Sequence, residues 1–206
     1  MALAALIVAI VAVLIALLSA AYTRREAIAS EVQAVASKES AAIEGKRMHS
    51  DLTPVLAVTC SEQEGSNGQK AELTVELTGP NGLDELDEVT IRIRDDIPVR
   101  KPGPGSDLTE KQISAILWGP YRLNPGMQDT DSGGRTHGPF KLPKHERYPL
   151  QLEWTLVPSW APRGYWRSHY ADHPVRLEVN CRRTGHEPWI LRLEAQVKPD
   201  PGSQVF

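Results

Sequence analysis

Only two cysteines occur in the 206 residues, too few for a disulfide-framed miniprotein. Glycine and proline, 15 and 16 residues, have neither the period of collagen nor the density of low-complexity disorder. Positive charge is short as well. The chain is net −3, and 18 Lys and Arg stand against 22 Asp and Glu after position 50, a net of −4. That sign is wrong for gripping a phosphate backbone, so no nucleic-acid partner is expected. A phosphate-binding glycine loop is missing too, because Gly103-Pro104-Gly105 has no following Lys-Ser/Thr and does not join a strand to a helix. Charge is absent altogether from residues 2–22.

That uncharged run dominates what is present. Ala2 to Ala21 is 20 residues without charge, Gly or Pro, and at about 1.5 Å per residue a helix of that length spans roughly the 30 Å of bilayer hydrocarbon. Residues 1–22 are therefore expected to form a transmembrane helix whose partner is the lipid bilayer, through residues 2–21. A cleaved signal peptide fits less well: no Lys or Arg precedes the run, which exceeds the usual h-region. Arg24 and Arg25 follow it directly, so the positive-inside rule places the C-terminal part in the cytoplasm. Ala5, Ala9, Ala12, Ala16 and Ala20 make a small-residue stripe that an Ala-rich span also produces by chance.

Residues 23–50, rich in Ala and Glu, predict a helical stalk or linker that stops at Gly45. Ile28, Val32, Val35 and Ala42 fall at heptad spacing, but Glu39 interrupts the seam. Two broken heptads cannot hold a coiled coil alone, although tethering to a membrane leaves room for a weak homodimer through anchor and stalk.

From Asp51 the period changes to two. Ala71-Leu73-Val75-Leu77, Val89-Ile91-Ile93, Leu150-Leu152-Trp154-Leu156, Val175-Leu177-Val179-Cys181 and Trp189-Leu191-Leu193-Ala195-Val197 alternate with polar neighbours. With Val55–Cys60 these predict six strands, and Ile113–Trp118 and Phe140–Leu142 are weaker candidates. Half-buried antiparallel strands need a second layer, so the expectation for residues 51–199 is an Ig-like β-sandwich, followed by a disordered tail over 200–206. Cys60 and Cys181 read as inward-facing and stand 121 residues apart, too far for an immunoglobulin cysteine pair. In a reducing cytoplasm both would be buried thiols.

Trp118-Gly119-Pro120-Tyr121-Arg122, Gly133-Gly134-Arg135 and the strand pair ending at Trp189 resemble uncharacterised single-pass membrane proteins of high-GC bacteria. That resemblance implies an anchor, a helical stalk and a β-sandwich, and implies no activity.

Catalytic and metal patterns fail on particular residues. Asp131-Ser132-Gly133-Gly134 is similar to a trypsin-like nucleophile segment, but Thr130 and Arg135 depart from it on both sides and no His or Asp partner segments occur. Asp129 and Asp131 open like a calcium loop whose twelfth position would be Phe140 instead of Glu. His169 and His173 have zinc spacing only on a helix, which Pro174 disfavours, and no third ligand is evident. His137, His145 and His186 are scattered and support nothing specific. Asp84, Glu85, Asp87 and Glu88 read as a solvated acidic turn. No cofactor is implied.

One concentration remains, in Pro158–His173. Trp160, Arg163, Tyr165, Trp166, Arg167 and Tyr170 combine aromatic and guanidinium groups, the currency of partner recognition, and are the expected partner-binding residues. The bland alternative is that these aromatics cap the open end of the sandwich. The expected function is thus a membrane-anchored, non-catalytic interaction domain that binds a protein or a membrane surface. The alternatives are a tethered hydrolase or metal-dependent enzyme using loops 120–148 and 165–173, and an outward-facing structural envelope protein.

Overall fold

The computed structural model describes residues 31, 33–64, 66, 69–97 and 109–199. The expected membrane span, the first part of the stalk, the Gly103-Pro104-Gly105 segment and the C-terminal tail lie outside the described residues. Among the described residues no helix is long and apolar enough to cross a membrane. The chain divides into two compact units, Met1–Asp51 and Leu52–Phe206.

In the first unit a helix, α1, runs through residues 33–51. It passes Gly45, where the sequence predicted a stop. A Cβ placed at Gly45 would meet nothing within 4 Å, so this glycine marks no tight turn. The helix ends instead three residues before Pro54, whose ring restricts the residue ahead of it to extended backbone.

The second unit is mainly β and consists of two sheets. Its strands are β1 (Val55–Glu62), β2 (Lys70–Gly79), β3 (Glu85–Ile93), β4 (Tyr121–Leu123), β5 (Thr136–Pro143), β6 (Arg147–Trp154), β7 (Val175–Arg182), β8 (Trp189–Ala195) and β9 (Val197–Lys198). One sheet has the order β4-β6-β2-β1-β9 and the other β5-β3-β7-β8. All pairings are antiparallel except that of β9 with β1.

The period-two pattern decides which faces meet. Ala71, Leu73, Val75 and Leu77 of β2 point inward, as do Val175, Leu177, Val179 and Cys181 of β7, and none is more than 3% exposed. Covering each of the Val and Leu side chains contributes about 1.5–3 kcal/mol relative to exposure. Cys60 and Cys181 belong to this core as free thiols, and burial pushes each thiol up to about 12. The chain crosses between sheets at Gln196, so β8 and β9 form a seam that joins the two layers.

The segment between β3 and β6 departs from expectation. Ile113–Trp118 is no strand. Glu110–Ala115 forms a short helix, α2, opened by a reciprocal capping box between Thr109 and Gln112. β4 and most of β5 lie outside every alternating run of the sequence, and Phe140–Leu142 falls inside β5. The acidic run is also more than a solvated turn. Glu85 and Asp87 lie on β3, where Arg183 reaches Glu85 at 2.6 Å and Asp87 at 3.3 Å, and the Thr184 amide donates to Asp87 at 2.7 Å. The Arg183 guanidinium holds the Glu85 carboxyl below its usual range, and the Thr184 amide and hydroxyl do the same for Asp87.

Gly134 closes the β4–β5 connection at φ +69°, with its carbonyl accepting from the Leu123 amide at 2.8 Å. A Cβ there would collide with the Leu123 carbonyl oxygen and crowd Arg122. Gly134→Ala should therefore destabilise the second unit by roughly 1–3 kcal/mol, read as a lower urea midpoint at unchanged slope.

Candidate functional site

Pro158–His173 folds as a loop leading into helix α3 (Arg163–Tyr170). Pro162 stands at its N-cap in extended backbone, and Arg163 begins the helix. The six residues grouped by the sequence separate here. Trp166 and Tyr170, four apart, share the inner face and are 3% and 1% exposed. With Ala161 they form a second apolar cluster, against which Ile116, Trp118, Trp154 and Val157 pack.

Polar groups fix this cluster from three sides. The Thr155 hydroxyl donates to the Gly119 carbonyl at 2.7 Å and accepts from Trp166 Nε1 at 3.1 Å. The Tyr170 hydroxyl meets Asp96 at 3.2 Å. Asp95 accepts from the Trp118 amide at 2.9 Å and from Arg135 at 3.0 Å, while Arg135 also donates to the Ile116 carbonyl at 2.9 Å. The ends of β3 and β6, the α2 loop and α3 thus close on one another. Arg167 lies over the Trp154 ring at 5.8 Å, a cation–π contact.

Around this base the protein displays side chains that it does not cover. Leu156 is 68% exposed, Trp160 51% and Tyr165 66%. Trp160 leans on Trp118 with ring centroids 6.1 Å apart, and Tyr165 stacks on His169 at 5.9 Å. Trp160, Tyr165 and Arg167 are therefore outward members of the expected set, and Trp166 and Tyr170 are its internal supports. Leu156 was read as the last inward residue of a strand, but β6 ends at Trp154 and leaves it outside. Pro158, two residues on, was the available signal.

His169 and His173 lie with ring centroids 5.2 Å apart, His169 in α3 and His173 beyond its end. Among the described residues no group of three or more His, Cys, Asp or Glu is placed to hold a metal. Asp131 serves a turn instead, its carboxylate accepting from the Arg135 amide at 2.9 Å.

His137, set aside in the sequence, lies buried on β5 at 2% exposure. Its Nδ1 is 2.9 Å from the Thr130 hydroxyl and its Nε2 3.1 Å from the Tyr148 hydroxyl. A hydroxyl beside an imidazole is how hydrolases activate a nucleophile. Here the ring is enclosed, and its second nitrogen meets a phenol rather than an orienting carboxylate. Hydroxyls can donate or accept, so they satisfy a neutral ring in either tautomer. Burial lowers the His137 pKa, against a smaller opposing pull from Asp129, and burial raises that of Tyr148. The trio is a satisfied polar inset in the sheet.

No family model matches this chain, and no curated protein matches it either.

Two outcomes follow from this geometry. Thr155→Val removes the partner of Trp166 Nε1 and the donor to Gly119, and should cost about 1–3 kcal/mol with loss of near-ultraviolet tryptophan dichroism. Trp160→Ala with Tyr165→Ala should stay within roughly 0.5 kcal/mol of the parent. The buried His137 adds a pH dependence. Its folded pKa lies below the ordinary value of 6.5, so the unfolded chain binds the extra proton first. Stability should be full above that value and decline as pH falls through the folded pKa, with a shallower decline in His137→Gln, measured by urea denaturation across the acid range.

Proposed function

We propose that this chain is a single-pass membrane protein that displays an immunoglobulin-like interaction domain on the cytoplasmic side and binds a protein partner through Trp160 and Tyr165. The uncharged run from Ala2 to Ala21, with Arg24 and Arg25 directly after it, supports the anchor and its orientation. The strand orders support the finer fold. β1-β2-β6-β4 opposite β3-β7-β8 follows the ABED and CFG sheets of immunoglobulin-like domains. β5 is an additional strand, placed in the chain after β4 and paired with β3.

The single observation that carries the binding reading is the exposure of Leu156, Trp160 and Tyr165 on a base of buried aromatics. Large aromatics left half uncovered beside a rigid support are the usual anchors of a protein interface. The surrounding unit is net acidic, which favours a partner with basic or neutral character over an anionic lipid surface.

A photoreactive residue at Trp160 in the full chain, expressed in intact cells, should give one discrete protein adduct. The same group at exposed Ile190 should not give it, and Tyr165→Ala should reduce the yield. A reporter fused at the C-terminus should be active only in the form that works in the cytoplasm. Adducts to lipid alone would favour a membrane-surface role, and the same adduct at equal yield from Ile190 would reject residues 156–165 as the interface.

A further inference from the structure

Among the described residues the edge strands of the two sheets are unequal. β4 is three residues long, and the two-residue β9 covers only Cys60 and Ser61 of β1, whose open stretch before them begins at a register shift. β5 carries Pro139 and Pro143, and its register with β3 shifts twice. Short strands, prolines and bulges are how proteins prevent an edge from recruiting another strand. β8 has none of these features. Its seven residues, Trp189 to Ala195, contain no Pro or Gly and pair with β7 in one unbroken register. Its inward residues Leu191 and Leu193 are only half-buried, and Ile190 on the other face is 65% exposed.

We infer that β8 pairs antiparallel with the β8 of a second copy of this chain, fusing two four-stranded sheets into one of eight. Charge selects the occupant and the register. A two-fold pairing is isologous, so each residue meets its mirror position about the centre. Centred on Arg192, the strand would set Arg192 against itself. Centred on Leu191, it would leave Arg192 opposite Ile190. Centred on Leu193, Arg192 faces Glu194 of the second copy on both sides of the axis, Leu193 meets Leu193, and Leu191 meets Ala195.

The flanking strands extend that match. Within one copy Arg192 already faces Glu178 of β7 at 3.8 Å, and Glu194 faces Arg176 at 3.2 Å. Across the joined sheet one row then reads Glu178, Arg192, Glu194, Arg176, alternating in sign through four strands, and its symmetry mate reads the reverse. Directly opposed side chains on antiparallel strands lie about 5 Å apart, within reach of ion pairing. The half-buried Leu191 and Leu193 gain cover on the inner face.

The test uses two variants of the full chain in detergent, Arg192→Cys and Glu194→Cys, both at solvent-facing positions and both with the buried native cysteines kept. In this register position 192 lies opposite position 194 of the second copy, while like positions sit diagonally, beyond the roughly 7 Å Cα separation that a disulfide tolerates. Under mild oxidation the mixed variants should give a disulfide-linked dimer, and each variant alone should stay monomeric on non-reducing gels. In the otherwise native chain, Glu194→Arg should lower the dimer fraction in sedimentation. Equal cross-linking of single and mixed variants would overturn the register. No cross-linking in the mixture would overturn the pairing, whether the chain is monomeric with its own tail on that edge or dimeric through residues 23–47 alone.

Discussion

Each of the two sheets has one apolar face and cannot leave it in water, and that constraint organises the second unit. β2 and β7, near the centre of their sheets, turn rows of aliphatic side chains inward, and the two rows cover one another. Leu86, Val89, Ile91 and Ile93 of β3 and Leu150 and Leu152 of β6 extend the same core. The outer faces carry cross-strand ion pairs such as the partly covered Arg176–Glu194 and the exposed Arg182–Glu88, which are individually weak. The crossing at Gln196 follows from the same constraint, since Ala195 faces the core from one sheet and Val197 joins the other.

The aromatic cluster at the loop end obeys a different rule. Loops carry backbone groups that must be hydrogen-bonded before they can be buried. Asp95 and Asp96, just beyond β3, accept from Trp118, Arg135 and Tyr170, and Thr155, just beyond β6, serves Gly119 and Trp166. These few acceptors allow two tryptophans and a tyrosine to pack outside the main core. The same packing makes the base under Trp160 and Tyr165 rigid, so that ordering them against a partner costs less conformational entropy.

What the sequence disclosed depended on how many residues reported each feature. Five alternating runs each gave four or more concordant positions or a clean inward triplet, and each falls on a strand, except that the last run breaks at Gln196 into β8 and β9 of different sheets and Leu156 falls outside β6. β4, with three residues, offers no period to detect, and β5 is interrupted by Gly138-Pro139. α2 was legible from Thr109-x-x-Gln112, a signal passed over because Ile113 and Leu117 read as strand. In the candidate site composition singled out a segment but could not tell its facing. Trp166 and Tyr170 are one helical turn apart and so share a face, whereas Trp160 lies before Pro162 and outside the helix. His137 was illegible because burial of a lone polar residue leaves no pattern along the chain; only Thr130 and Tyr148, brought together by the strands, explain it.

The charges on β8 also bear on what an edge contact can be expected to do. Exposed ion pairs contribute little affinity each, so alternating Arg and Glu rows would not hold two copies together by themselves. Their effect is to penalise wrong registers, because a like-charge opposition at Arg192 costs more than a correct pair gains. The strength of such a contact would come from backbone hydrogen bonds and from covering Leu191 and Leu193. Five residues per strand is a small interface for free solution. A chain held at one end in a bilayer meets its neighbours at a raised effective concentration, and there a contact too weak for dilute solution becomes populated. The proposed edge pairing and the proposed tethering are therefore physically coupled: the first would be populated to the extent that the second confined the chain.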